Sequence, residues 1–224
     1  MIELSKEEKQ VRIAKNVAAL IDEDSRYNVI NLGVGIPTMV SNYVTREGVY
    51  LMAENGMLGV GPIADAEHAH PDLINAGRQS VLETKGCWYT DSATAFGLIR
   101  GGHIDATVLG AFEVDQDGDV ANWIIPGGKQ LGVGGAMDLV SGAKKVIIAM
   151  THTSKTGSKL IKKCTLPLTA KGKVKTVVTE YGVFEFENGS ITLTKIAPEI
   201  SLEEIRSITE LDYRVSDSLR QMVV

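Results

Sequence analysis

An α/β fold is the architecture that this sequence predicts: an open, mostly parallel central sheet flanked by helices, with an antiparallel hairpin region at the C-terminus. Up to Met150, short β-branched segments alternate with helical segments, which is the pattern of a parallel sheet with helical crossovers. Further on, apolar and polar residues alternate, and Asn188-Gly189 is a strong signal for a type I′ hairpin turn. Because the 224 residues contain no recognisable repeat or linker, we expect one domain over residues 1–224.

The helices are predicted from their caps. Ser5 and Glu8 form a capping box ahead of a helical apolar repeat, so we expect a helix from about Lys6 to Asp22. A second helix is expected from Pro37 to about Thr45, because proline favours the first turn. Two further short helices complete the set: Ala93–Ile99, capped by Asp91, and the segment that Ser201 caps.

The strands are predicted from short apolar or alternating runs. Those expected in the parallel sheet are Asn28–Leu32, Val49–Ala53, Ile104–Leu109 and Lys145–Met150. Those expected in the antiparallel region are Val174–Thr179, Val183–Phe186 and Ile191–Ile196. Residues 59–80 are rich in Gly, Pro, Ala, Asp and His, and we expect them to be a functional loop.

Composition excludes several classes of protein. Hydrophobic residues make up 44% and charged residues 23%, so the chain is not expected to be disordered, and a net charge of −5 argues against a nucleic-acid partner. No apolar stretch approaches the ~18 residues that a membrane helix needs, and the N-terminus is charged where a signal peptide is apolar. Two cysteines are too few for a disulfide scaffold. We therefore expect a cytoplasmic protein.

Two glycine-rich motifs allow more than one interpretation. Gly33-Val34-Gly35 follows a strand, but Thr38 occupies the position of the third glycine in a dinucleotide fingerprint, so a different ligand at the helix N-terminus is favoured. Residues 113–118 begin like a calcium loop, but Ile124 stands where the bidentate glutamate belongs. A hairpin turn between Val108–Phe112 and Val120–Ile125 is the favoured explanation.

No metal site or catalytic thiol is expected. His68 and His70 can lie on one side of an extended segment, but no third ligand is recognisable from the spacing. Cys87, placed at a turn, and Cys164, in a mixed segment, belong to no Cys–His signature.

A carboxylate and a second glycine cluster are the stronger candidates for chemistry. Glu54 follows a buried strand directly, and the carboxyl ends of strands border the ligand crevice of open α/β sheets. A solvated turn acid is the alternative. Residues 132–138 contain three glycines whose amides suit an oxyanion or a phosphate; the alternative is a close backbone crossing in the core.

At these residues the sequence resembles family I coenzyme A transferases, specifically the β half of 3-oxoacid and acetate/acetoacetate CoA-transferases. The segment E-N-G-M-L-G-V-G-P at 54–62 matches that family's pattern, although Ala53 stands where many relatives carry serine. Similar segments extend over nearly the whole chain and lie at 31–37, 70–77, 91–92, 98–103, 121–123, 134–139 and 164–169.

The resemblance implies a covalent mechanism. Glu54 would be the nucleophile that accepts CoA as a thioester, so that CoA is a substrate and transient adduct and no cofactor is bound permanently. The oxyanion would bind main-chain amides of Gly134, Gly135 and Ala136. The segment Gly33, Val34, Gly35, Ile36 and Pro37 matches the loop for the pantetheine arm, and Asn31 and Asn55 would bond the arm or the acyl carboxylate. Segment 59–80 is expected to form part of the wall that excludes water.

The resemblance also implies a partner. The chain corresponds to the β half only, so we expect a separate α subunit, an α2β2 heterotetramer, and acyl-CoA and short-chain carboxylates as substrates. The identity of the acid remains open among four choices: acetate, butyrate, succinate, and a 3-oxoacid such as acetoacetate. Ketone-body metabolism and short-chain fatty-acid metabolism therefore both remain open as the pathway. Two other functions also remain open: an acyl-CoA hydrolase that uses the same glutamate, and a non-catalytic metabolite-sensing domain.

Overall fold

The structure is a computed structural model that describes residues 4–128 and 130–224. Its helices are α1 (Lys6–Glu23), α2 (Ile36–Met39), α3 (Ser92–Arg100), α4 (Ala136–Gly142) and α5 (Leu202–Ser207), with a 3-10 helix at Val40–Asn42. Its strands are β1 (Val29–Leu32), β2 (Tyr50–Ala53), β3 (Met57–Ile63), β4 (Val81–Tyr89), β5 (Ala106–Leu109), β6 (Glu113–Asp115), β7 (Val120–Ala121), β8 (Lys145–Ala149), β9 (Thr153–Ser154), β10 (Gly157–Ser158), β11 (Leu160–Ile161), β12 (Val174–Val178), β13 (Gly182–Glu187), β14 (Ser190–Ile196) and β15 (Arg214–Gln221).

A ten-stranded sheet forms the centre of the fold, in the order β15-β14-β13-β12-β8-β5-β1-β2-β3-β4. The strands from β12 to β2 pair in parallel, so their carboxyl ends lie at one edge of the sheet. β13 and β14 continue the sheet in antiparallel order, joined through Asn188 and Gly189, which both have positive φ. The α/β class, the mostly parallel centre and the C-terminal antiparallel region are confirmed.

The helices cover the sheet as their sequences predict. Ser5 caps α1 in a complete capping box with Glu8, and the helix buries Ile13, Val17 and Ile21. These apolar side chains recur at helical spacing and belong to the buried core, so their burial drives the helix onto the sheet. In the described part of the chain, no helix is long and apolar enough to cross a membrane.

Three predicted boundaries were wrong. Segment 59–80 is not a loop throughout, because residues 59–63 belong to β3, which pairs with β4. α2 ends at Met39 and passes into the 3-10 helix, so the helix expected to reach Thr45 is shorter. Cys87 lies inside β4 and not at a turn.

The hairpin predicted around Asp117-Gly118 is present, but with other strands. Val108 and Leu109 belong to β5 in the central sheet, and the hairpin pairs β6 with β7. Asp115 accepts hydrogen bonds from the amides of Asp117 and Asp119, which close the turn. The ammonium of Lys163 lies 3.0–3.3 Å from carboxylate oxygens of these three residues and balances their charge.

Candidate active site

A cavity of about 550 Å³ lies at the carboxyl ends of the parallel strands. The turn after β1, Glu54 after β2, the segment after β5 and the end of β8 each contribute to its wall, and the glycine segment before α4 closes one side. Its lining residues are Lys6, Gln10, Gly33, Val34, Ile36, Glu54, Leu109–Phe112, Asn122, Leu131–Ala136, Leu139, Ala149–Thr151 and Lys159. The cavity thus occupies the edge where open α/β sheets bind ligands.

Glu54 is placed in this cavity by its strand and by one buried amide. It follows β2 directly and is half-buried. Asn31 on β1 is fully buried, and its Nδ2 donates to Glu54 Oε2 at 3.1 Å and lies 3.3 Å from the Met52 carbonyl oxygen. Thr107 on β5 donates from Oγ1 to Asn31 Oδ1 at 3.0 Å, which fixes the orientation of the Asn31 amide.

No ion pair neutralises Glu54 within residues 4–128 and 130–224. A carboxylate held by one neutral amide keeps lone pairs on its second oxygen free. Such a group is oriented but not charge-compensated, which suits a nucleophile that must attack a carbonyl carbon.

The glycine segment places main-chain amides beside Glu54. A β carbon built on Gly135 would lie 3.7 Å from Glu54 Cγ, so the two residues are neighbours. The amides of Gly134 and Gly135 donate to no described carbonyl, whereas the Ala136 amide donates to the Val133 carbonyl at 3.1 Å. Around Gly134, at φ +52°, no atom would come within 4 Å of an added β carbon. The segment therefore borders open space, as a cradle for an oxyanion requires.

The turn after β1 contributes residues with different functions. The Gly33 amide donates to the Val108 carbonyl, and a β carbon at Gly33 would lie 2.8 Å from Leu109 Cδ2, so this glycine permits close packing. Val34 is 62% exposed and, with Ile36, lines the cavity. Gly35 has a φ of +92° and begins α2, and Pro37 is buried in the first turn of that helix. Gly35 and Pro37 thus shape the turn from behind the cavity wall.

Two expected parts of the site lie elsewhere. The Asn55 side chain donates to the Ile74 carbonyl at 3.1 Å and is outside the lining set, as is every residue of 59–80. Asn55, the residue after Glu54, instead holds the segment that follows β3 in place through this hydrogen bond. Instead of Asn55 and segment 59–80, the cavity wall contains Leu109–Phe112 and Ala149–Thr151, which lie at the ends of two central strands.

The alternative chemistries find no support in the geometry. Burial raises the pKa of the Cys87 thiol, and burial together with Asp115 raises that of Cys164, which disfavours the reactive thiolate of both. His68 and His70 are exposed, and His68 Nδ1 lies 2.7 Å from Asp65. Among the described residues, no three His, Cys, Asp or Glu side chains are grouped to hold a metal ion.

Sequence reasoning missed two charged residues of the cavity, Lys6 and Lys159. Lys159 lies between β10 and β11 and is half-buried in the wall. Burial lowers the pKa of its ammonium to about 8, although the carboxylate of Glu180 acts in the opposite direction. The surrounding sequence, Gly157-Ser158-Lys159-Leu160, is polar and glycine-containing and gives no signal that this lysine faces a cavity.

Fold and site together define a class of α/β protein that carries an uncompensated carboxylate beside main-chain donors at the carboxyl edge of its sheet. The family described as Coenzyme A transferase matches residues 11–207 of the chain. The chain is 49% identical over 214 residues to the β subunit of the acetate CoA-transferase of Haemophilus influenzae, covering 95% of this chain and 94% of that protein. It is 47% identical over 193 residues to one subunit of the probable succinyl-CoA:3-ketoacid coenzyme A transferase of Bacillus subtilis, covering 85% and 89%.

A solved structure shares the fold. The acyl-CoA transferase of Escherichia coli O157:H7, determined as a thioester complex with CoA, is 22% identical and superposes with a TM-score of 0.73. The match covers 99% of this chain and 44% of that one, so this chain spans less than half of the longer protein. This chain belongs to the coenzyme A transferase family, and the recognition made from its motifs is confirmed.

Proposed function

We propose that the chain is the β subunit of a CoA-transferase that moves CoA between an acyl-CoA and a short-chain carboxylate through a thioester on Glu54. The observation that carries the proposal is one juxtaposition: the unpaired Glu54 carboxylate faces the same cavity as the free amides of Gly134 and Gly135. The whole chain, residues 1–224, would form the single β-subunit domain.

The proposed reaction exchanges acyl bonds, and water takes no part in it. The Glu54 carboxylate attacks the acyl-CoA carbonyl, and the C–S bond breaks to give an acyl–glutamyl anhydride and CoA thiolate. The thiolate then attacks the glutamyl carbonyl, which releases the first acid as its carboxylate and leaves CoA bound to Glu54. A second carboxylate reverses these steps. CoA is thus a substrate and a transient adduct, and no permanent cofactor is needed.

Each tetrahedral intermediate carries an oxyanion that the glycine segment is placed to bind. Gly134 and Gly135 would donate their free amides; removing one such donor costs ~2.7–4 kcal/mol in other enzymes. The Ala136 amide would join them once its bond to Val133 opens. Asn31 would act as a positioning residue, since it holds Glu54 Oε2 and leaves the second oxygen to attack.

The turn of Gly33, Val34, Gly35, Ile36 and Pro37 would bind the pantetheine arm. Val34, Gly35 and Ile36 have amides that donate to no described acceptor, and pantetheine has amide carbonyls to receive them. Asn55 would contribute indirectly, because its bond to the Ile74 carbonyl orders the residues after Glu54.

A separate α subunit would complete the enzyme, in an α2β2 heterotetramer. Both relatives are named as single subunits of their enzymes, and the match covers about nine tenths of each, whereas the solved acyl-CoA transferase is more than twice as long as the matched part. Acetate and 3-oxoacids such as acetoacetate fit the names of these relatives, which mention acetate, succinyl-CoA and 3-ketoacids. Butyrate is included in the proposed range as another short-chain acid.

Kinetics of the complex with its α subunit test the proposal. Initial rates at several fixed acid concentrations should give parallel double-reciprocal lines, and the complex should exchange a labelled acid into acyl-CoA. A hydrolase would instead release CoA at a rate that no added acid changes. A sensing domain would bind acyl-CoA without either reaction, and Glu54→Gln would leave that binding intact.

A further inference from the structure

Lys159 lines the same cavity as Glu54. Its backbone amide donates to the His152 carbonyl beyond β8, and its carbonyl accepts from the Val114 amide on β6. Between β2, which ends before Glu54, and β8 lie β1 and β5. Three strand spacings of about 4.8 Å separate β2 from β8 by roughly 14 Å, and the Lys159 backbone is bonded to the segment that leaves β8. Glu54 and Lys159 therefore reach one cavity of about 550 Å³ from separate parts of the fold.

The wall of the cavity that these two charged residues share is largely apolar. It contains Leu109, Ala111, Phe112 and Met150, which suit the methylene groups of a substrate. Within the described part of the chain, the Lys159 ammonium has no hydrogen-bond or ion-pair partner. A half-buried ammonium without a partner is costly, because burial removes water from a charge that nothing nearby binds.

The carboxylate of Glu180 opposes the effect of burial on the pKa of this ammonium. Glu180, which follows β12, is fully buried, and its Oε2 accepts from the His152 amide at 2.7 Å. Its other oxygen lies 3.7 Å from Lys9 Nζ and has no hydrogen-bond partner among the described residues. The charge of Glu180 offsets part of the burial cost at Lys159, although burial raises the pKa of Glu180 itself. With a pKa of about 8, Lys159 is mostly protonated at pH 7, so the apolar cavity has a cation in its wall.

We propose that Lys159 determines acid specificity by binding a carboxylate at the far end of the substrate, so that short dicarboxylates are favoured over alkanoic acids of equal length. This assignment rests on the proposed function, since the near carboxylate must be the one that exchanges CoA with Glu54. Lys6, the other lysine of the lining set, is exposed at the start of α1, where water screens its charge.

Succinate and butyrate test the proposal because they have four carbons each and differ in the far carboxylate. The complex with the α subunit is assayed with both acids, in the native form and as Lys159→Met, Lys159→Arg and Lys6→Met. Lys155→Met is the matched control, because Lys155 is exposed on the same β9–β10 hairpin and is outside the cavity. Thermal unfolding of each variant confirms folding.

The native enzyme should have a higher kcat/KM for succinate than for butyrate. Lys159→Met should lower kcat/KM for succinate by about 10- to 100-fold, because one charge-assisted hydrogen bond to the far carboxylate is lost. Butyrate should change little, and Lys159→Arg should retain most of the preference. An equal loss for both acids in folded Lys159→Met, a native preference for butyrate, or a larger specific loss in Lys6→Met overturns the assignment. Absence of transfer to succinate and butyrate overturns the Lys159 assignment alone; absence of transfer to acetate and acetoacetate as well overturns the proposed function.

Discussion

Glu54 and Gly135, far apart in sequence, are neighbours in the fold: a β carbon on Gly135 would lie 3.7 Å from Glu54 Cγ. The same β carbon would lie 2.7 Å from Phe96 Cζ, closer than real contacts allow. A side chain at position 135 would therefore clash with Phe96 on α3 and displace the segment from its place beside Glu54. Glycine at this position permits the close approach of the proposed nucleophile and its oxyanion donors.

Gly135→Ala should lower kcat by at least about tenfold, because the added methyl group displaces the turn and one lost oxyanion donor costs ~2.7–4 kcal/mol. Steady-state kinetics measure the effect. Gly97→Ala is the matched control: its β carbon meets no atom within 4 Å, and alanine stabilises a helix by ~0.5–1 kcal/mol relative to glycine. Native kcat in Gly135→Ala would show that the turn does not position the donors.

Asn31→Asp should lower kcat by about 10- to 100-fold with a smaller change in the KM for acyl-CoA. The variant keeps the shape but replaces the donor to Glu54 Oε2 by a second carboxylate, and a lost hydrogen bond to a charged group costs ~1.5–3 kcal/mol. Asn188→Asp controls for the same chemical change at an exposed hairpin turn. If only the KM for acyl-CoA rises and kcat is unchanged, Asn31 binds CoA and does not position the nucleophile.

The preference for succinate over butyrate should fall as pH rises from about 7 to about 9. The pKa of Lys159 is lowered by burial to about 8, so the ammonium is lost above that value, and one unit higher about a tenth remains. The charged or titratable groups around it are Lys6 and Lys9 on α1, Glu180 after β12 and His152 after β8.

His152 stays neutral over this range, because burial lowers its pKa to about 3. The pH profile of the ratio of the two kcat/KM values is the measurement. Lys159→Arg should flatten it, since an arginine remains charged throughout. A native ratio that does not change with pH would contradict the prediction.

Stability should fall below pH 6.5 because of His152. The ring lies between Thr179 Oγ1 and Thr209 Oγ1, at 3.0 and 2.9 Å, and is fully buried. Its folded pKa of about 3 is below the value of 6.5 for the unfolded chain, so between these values only the unfolded state binds the proton. The stabilisation is complete above pH 6.5 and is lost as pH falls toward 3. Between pH 7 and 5 the loss should be about 2 kcal/mol.

Urea unfolding at pH 7 and pH 5 measures this loss, and His152→Gln should reduce the difference between the two pH values. Other groups titrate in the same range, so the comparison between variant and native protein isolates the histidine. An unchanged pH dependence in a folded variant would mean that His152 takes up its proton in the native state.

The sequence predicted the fold where local signals and burial agree. Ser5 and Glu8 specify the start of α1, and β1, β5 and β8 consist of apolar runs that suit the middle of a sheet. The glycines of β3 favour a loop when composition alone is considered, so the end of this strand was predicted wrongly. A β carbon at Gly59 would lie 2.8 Å from Cys87 Cα, and one at Gly61 would lie 2.7 Å from the Leu82 carbonyl. These glycines permit close strand contact, a tertiary cause that composition does not reveal.

The site was only partly predictable for the same reason. The motif around Glu54 and the glycines at 134 and 135 are recognisable in the sequence, and the structure places them on one cavity. The bond between Asn31 and Glu54 and the position of Lys159 depend on how strands and hairpins meet, and no local pattern encodes either.

A covalent adduct tests the central claim most directly. The complex with the α subunit is incubated with an acyl-CoA, part of the sample is treated with borohydride, and the digested peptide that contains Glu54 is analysed by mass spectrometry. We predict CoA on Glu54, reduction of that side chain to an alcohol by borohydride, and neither product in Glu54→Gln. CoA attached at another residue, or an active native complex whose Glu54 stays unmodified under these conditions, would contradict the account.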